Sequence, residues 1–169
     1  MKLDVDSANA ILAEMREVRR PLCRLSGAQN EAGMKLKFVA RENGEVFADF
    51  FCDSKFQGYS EIMHGGVVAA ALDSAMSNCL FAHGLDGVTA ELTIRYHQPV
   101  ILEQWATVRA RLDRVTSRLF LLSADLTQDG KVKVEGTAKF MPLPPALDHA
   151  PPANTKCDPI QHHNSNGIN

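Results

Sequence analysis

The chain has 169 residues, enough for one domain with a core of its own, and 45% of them are hydrophobic. A formal charge of −2 gives no broad attraction to nucleic acid or to an anionic membrane, so any contact with phosphates must come from local arginines. The start, MKLDVDSANA, lacks the apolar run of a secretory leader, and no 18-residue apolar run free of charge is found, so neither secretion nor membrane insertion is expected.

Residues 6–20 place Ile11, Leu12, Met15 and Val18 at helical spacing, and Pro21 stops the pattern. A glycine-containing connector occupies residues 22–33. Residues 35–41 and 46–52 cluster apolar side chains about Glu42-Asn43-Gly44-Glu45, where Asn-Gly predicts a hairpin turn. The stretch 65–82 is apolar nearly all round, which predicts a helix wrapped by other structure rather than laid on a surface, ending near Gly84. Its small residues, Ala69, Ala70, Ala71, Ser74 and Ala75, allow a sheet or second helix to approach closely, and Cys79 reads as a small buried hydrophobe. Four strands follow, at 88–97, 106–115, 119–127 and 131–141, the last two joined by Asp129-Gly130. In the first, simple alternation puts Val88, Ala90, Leu92, Ile94 and Tyr96 on one face and Thr89, Glu91, Thr93, Arg95 and His97 on the other.

This order predicts an α+β domain, a mostly antiparallel sheet around one long central helix. Residues 1–21 form an N-terminal helix, 22–141 the main domain, and the Pro-, Asn- and His-rich residues 142–169 a tail without a core role. The four cysteines, Cys23, Cys52, Cys79 and Cys157, contain no C-x-x-C pair, which fits a reducing cytoplasm.

The chemistry concentrates at His64-Gly65-Gly66 and Asp73. Two glycines before an apolar helix let a ligand approach the backbone and leave amide N–H groups free at the positive helix end. Asp73 has Ala69, Met76 and Leu80 as same-face neighbours, and no Lys or Arg lies between Lys55 and Arg95. An acid among apolar groups is costly to bury charged, so it either stays neutral or has a task. Oxyanion donors and an acid on one element suggest acyl transfer. Yet Gly65 and Asp73 are eight positions apart, about 12 Å along a helix, too far to touch one carbonyl. Acting on one bond would take a second chain whose acid meets the first chain's helix start, with two equivalent sites about a two-fold axis.

The run FQGYSEIMHGGVVAAALD at 56–73, GVTAELTIRY at 87–96 and the connector CRLSGAQNEAG at 23–33 resemble hotdog-fold acyl-CoA thioesterases of the phenylacetate-pathway (PaaI-like) type. The resemblance covers roughly residues 22–141. It implies a helix wrapped by a sheet, and paired subunits forming a continuous sheet, as a homodimer or a dimer of dimers. It also implies catalysis by the Gly65 N–H polarising the thioester carbonyl and Asp73 of the other subunit acting as general base or nucleophile. Thr89 matches a position that orients the acid or its water, and His64 one that positions the carbonyl or the loop. Gly66 is a candidate for substrate contact as part of the glycine pair. Some relatives carry an amide side chain where this chain has Gly58, so either the adjacent Gln57 supplies that contact or the carbonyl is oriented differently. In the connector, Ser26 stands where a second cysteine is common, which removes the argument for a metal knuckle.

Arg109, Arg111, Arg114 and Arg118 crowd two strands and their turn. A solvated face often looks like this, and the functional alternative is that Arg114 or Arg118 meets the phosphates of coenzyme A. His83 and His97 lack partners at metal-ligand spacing, so neither a metal nor a cofactor is expected, coenzyme A entering as part of the substrate. Two other readings of the same fold stay open. One is a hydratase or dehydratase, which usually places a His five residues after the acid, where this chain has Asn78. The other is a non-catalytic acyl-CoA sensor, for which the first 30 residues offer no DNA-binding output module.

Overall fold

A computed structural model describes residues 3–143. Helix α1 (Val5–Glu14) continues as a π-helical turn through Arg19, and Cys23, Ser26 and Gly27 close a compact connector. Strands β1 (Val39–Ala40) and β2 (Val46–Phe51) pair across the predicted turn, where Gly44 takes φ +87°. Strand β1 is far shorter than expected from residues 35–41. Lys35 turns through φ +54°, and the backbone N–H groups of Met34 and Leu36 donate to Arg24 O and Leu25 O, so residues 34–36 pair with the connector rather than the sheet.

Two short strands, β3 (Gln57–Tyr59) and β4 (Ile62–Met63), form a separate hairpin ahead of helix α2 (Gly65–Ala82). Two or three residues of alternation carry too little pattern for sequence reading to find them. Strands β5 (Gly87–Tyr96), β6 (Trp105–Val115), β7 (Phe120–Gln128) and β8 (Lys131–Pro142) fall within about a residue or two of the expected ranges. The six-stranded sheet has the order β1-β2-β6-β7-β8-β5, with every pairing antiparallel. Of the tail expected at 142–169, all but its first two residues lies outside the described part, as do Cys157 and the pair His162-His163.

The core lies between α2 and the concave face of the sheet. Val68, Leu72, Met76 and Leu80 of α2 are almost fully buried against Val46, Val108, Leu122, Leu126, Val134 and Phe140 of the strands. Gly136 lies under the helix: a Cβ there would meet Ile94 Cδ1 at 2.8 Å and Leu72 Cδ2 at 3.1 Å, so the missing side chain lets sheet and helix close up. Helix α1 covers another side of α2 through Ala8, Leu12 and Met15.

By length and composition α2 could cross a bilayer, with a mean hydropathy of 1.3 and a single acid, which the expectation from charge-free runs did not consider. Here 61% of it is buried inside the protein, the signature of a wrapped core helix. Cys52 and Cys79 are buried thiols, pushed up to about 11 and about 12 by their apolar surroundings, and behave as small hydrophobes.

Leu72 is fully buried at the helix–sheet contact, so Leu72→Ala should lower unfolding free energy by about 3 kcal/mol, from lost burial plus a residual cavity. Urea denaturation followed by circular dichroism reads that loss.

Candidate active site

The helix start is built by its own capping residue. His64 has extended backbone, with φ −59° and ψ +126°, and its Nδ1 accepts the Gly66 N–H at 3.0 Å. The His64 carbonyl accepts from the N–H groups of Val67 and Val68, which closes the first turn. Among the described residues, nothing accepts the Gly65 N–H, so it is the donor left over at the positive end of an 18-residue helix. The expectation of free amides at both glycines therefore holds for Gly65 alone. Gly66 is spent on the cap, and its absent side chain makes room for the imidazole, since a Cβ there would meet His64 Cε1 at 3.0 Å.

The cap also assigns the imidazole's tautomer. With Nδ1 accepting, a neutral His64 carries its proton on Nε2, and the side chain is exposed. Gly58 has a steric cause: a Cβ there would lie 2.9 Å from His64 Cα, so a side chain at this position would collide with the cap backbone. The neighbouring Gln57 is exposed and does not line the cleft beside Gly65.

That cleft, of about 420 Å³, runs between the β3–β4 hairpin, the start of α2 and the segment after β5. Tyr59, Ile62, Met63, Val68, Tyr96 and Val100 give it a largely apolar wall, with Gly65 and His64 at one edge. Both tyrosines of the chain line it, and reading the sequence marked neither as a site residue. Tyr96 Oη donates to the Gly65 carbonyl at 2.7 Å, and burial raises its phenol above the ordinary tyrosine range.

Asp73 is half-buried on α2 and is not part of this cleft. Thr89 Oγ1 donates to its carboxylate at 2.6 Å, and no cation pairs with it among the described residues. Simple alternation would have put Thr89 on the face opposite Leu92, Ile94 and Tyr96. The register instead pairs Thr89 with Phe140, Leu92 with Ala138, Ile94 with Gly136 and Tyr96 with Val134, all toward the helix. A β-bulge between Thr89 and Glu91 makes this possible, because one extra residue flips the face presented before it. Strand β5 is thus tied to α2 at two places, through Thr89 to the acid and through Tyr96 to the helix start.

The arginines divide. Arg109 pairs with Asp125 at 3.0 Å and Arg111 with Asp113 at 2.9 Å, whereas Arg114 and Arg118 have no carboxylate partner among the described residues. Arg114 lines a second cleft with His83 and Asp113, at the far end of α2 from Gly65, and Arg118 lies in the β6–β7 turn. Within one chain neither is near the Gly65 cleft. Asn78, five positions after the acid, is buried and donates to Ser74 O at 2.8 Å, so that position holds no acid–base group.

Residues 61–135 match the model of the thioesterase superfamily. The acyl-coenzyme A thioesterase THEM4 of Rattus norvegicus is 30% identical over 91 residues, covering 53% of this chain and 39% of that enzyme. The chain thus corresponds to about two-fifths of that curated relative's length. Among solved structures, a thioesterase superfamily protein superposes with a TM-score of 0.69 at 27% identity, covering 72% of this chain and 60% of the other. The E. coli PaaI protein from the phenylacetic acid degradation operon gives 0.66 at 13% identity, covering 83% and 96%. The fold is the hotdog fold, a sheet wrapped around one helix, as the resemblance implied.

The cap is the weak point of the site's scaffold. His64→Ala should cost about 1 kcal/mol and His64→Asn, which keeps a capping acceptor, only a few tenths. Gly58→Ala should cost more than His64→Asn, because the new methyl group meets backbone; thermal melts of the three variants rank them.

Proposed function

We propose, from a thioesterase-superfamily segment at residues 61–135 set in a hotdog fold, that this chain hydrolyses an acyl-CoA thioester to the free acid and coenzyme A. The observation that carries the reading is the division of labour along β5: Thr89 holds the acid at one end of the strand, and Tyr96 holds the helix start with its unpartnered N–H at the other.

Strand β5 is the last strand of the sheet, ten residues long and exposed on both faces over most of its length. Val88, Leu92, Tyr96 and the adjacent Met141 are 44%, 37%, 50% and 47% exposed. A long apolar edge of this kind invites pairing with another strand. Two copies meeting antiparallel through β5, about a two-fold axis near Leu92 and Thr93, set Thr89 opposite the partner's Tyr96. Each Asp73 then faces the partner's helix start, which resolves the 12 Å problem posed by roughly eight positions of helix.

In such a site the thioester carbonyl oxygen accepts the Gly65 N–H. Asp73 of the second subunit, oriented by Thr89, takes a proton from water as the water oxygen bonds to the carbonyl carbon. The C–S bond then breaks, and the thiolate leaves with that proton. Donor and helix end stabilise the negative oxygen where it forms. Water is the only co-substrate the scheme needs. The acyl chain lies in the apolar cleft, and the unpaired charges of Arg114 and Arg118 are available to the phosphates of coenzyme A from a neighbouring subunit.

A panel of acyl-CoA esters with a thiol-reactive dye tests the activity, and tight retention of intact ester with no thiol release would support a sensor instead. Asp73→Asn should lower kcat by about 10³-fold while the protein stays folded and dimeric, within the usual range for losing a general base. Gly65→Pro removes the single N–H at the first helical position, where proline is tolerated and the extended backbone of His64 suits it. Mixing the two inactive variants should restore about a quarter of wild-type activity, since half of randomly formed dimers are mixed and each holds one complete site. No recovery on mixing would contradict a shared site.

A further inference from the structure

We infer that Tyr96 is a positioning residue for the oxyanion donor, acting through the peptide group that joins Gly65 to Gly66. The inference rests on the reading above, in which the Gly65 N–H meets the thioester oxygen.

That peptide group is gripped at both polar ends by side chains. Its oxygen, the Gly65 carbonyl, accepts from Tyr96 Oη at 2.7 Å, and its N–H, on Gly66, donates to His64 Nδ1 at 3.0 Å. The peptide group before it is held through the His64 carbonyl, which accepts from Val67 and Val68. Gly65 lies between two anchored peptide planes, and its own N–H is the polar atom left unspent. Glycine at the start of a helix is otherwise the loosest residue available, with no Cβ to restrict φ and ψ. Fixing the planes on either side removes that freedom and aims the N–H before substrate arrives.

Orientation of this kind is what makes a backbone donor useful, because a preorganised dipole does not reorganise as charge develops. The Tyr96 ring lies alongside Gly65, with Oη and the ring carbons about 3.6–3.7 Å from where a Cβ would be, so ring and hydroxyl both brace the helix start. A phenol is protonated at neutral pH in any surroundings of this kind, so the Tyr96 hydroxyl is able to donate. The strand supplying Tyr96 also supplies Thr89, so one element sets the positions of donor and acid.

The test is Tyr96→Phe, which removes the hydroxyl and keeps the ring. With an acyl-CoA ester that the wild type turns over, kcat should fall about tenfold while KM changes less than about twofold, the pattern of an interaction expressed in the transition state. In ¹⁵N-labelled protein without ligand, the Gly66 amide, which is the hydrogen-bonded N–H of the gripped peptide group, should exchange with solvent several-fold faster in the variant, while amides in β6 and β7 keep their protection. The double variant His64→Ala/Tyr96→Phe should lose less than the product of the single losses, since both side chains hold one peptide group. A raised KM with unchanged kcat would make Tyr96 a mere wall of the cleft, and unchanged Gly66 exchange would overturn the positioning role. The exchange measurement needs no turnover, so it decides the role of Tyr96 even if the wild type releases no thiol from any ester. That second result would instead remove the hydrolase reading.

Discussion

Two hydrogen bonds between one edge strand and one buried helix organise this protein: Thr89 to Asp73 and Tyr96 to the Gly65 carbonyl. Strand β5 has a neighbour on one side only, so its position is set by β8 and by these two ties to α2. The ties share a direction because the bulge after Thr89 turns that residue onto the helix-facing side. Without the bulge, Thr89 would face outward and the Asp73 carboxylate would lose its only hydrogen-bond partner among the described residues.

The rest of the fold supports that arrangement. Small residues on α2 and the bare backbone of Gly136 let the helix sink against the sheet, which brings Asp73 within reach of a threonine hydroxyl on the outermost strand. At the helix start the same economy of side chains recurs. Gly58 lets the hairpin pass close to His64, Gly66 makes room for the imidazole, and Gly65 presents its amide. Three glycines near one histidine serve three different structural purposes.

Strand ranges, the central helix and the antiparallel architecture were legible in the amino-acid order because they express long, strongly periodic patterns. The glycine pair and the acid were legible because a lone carboxylate in an apolar helix is chemically conspicuous. The expectation of a free amide did not hold at Gly66 for a physical reason: its N–H is spent on a side chain two positions earlier, and a capping geometry does not show in composition. Tyr96 was passed over because an aromatic on a strand looks like core, and its hydroxyl finds its acceptor 31 residues away.

The sequence by itself determined what is local: where helix and strands run, that one acid lies among apolar neighbours, and that roughly 12 Å of helix separates it from the glycine amide. Those properties follow from side-chain periodicity and helical rise, which need no knowledge of distant contacts. Tertiary structure alone decided which face Thr89 presents, which glycine amide is left without a partner, and which tyrosine grips the helix start. Each of these depends on register, on a single inserted residue or on a hydrogen bond across the fold, and a one-residue slip reverses the outcome while leaving the pattern along the chain unchanged.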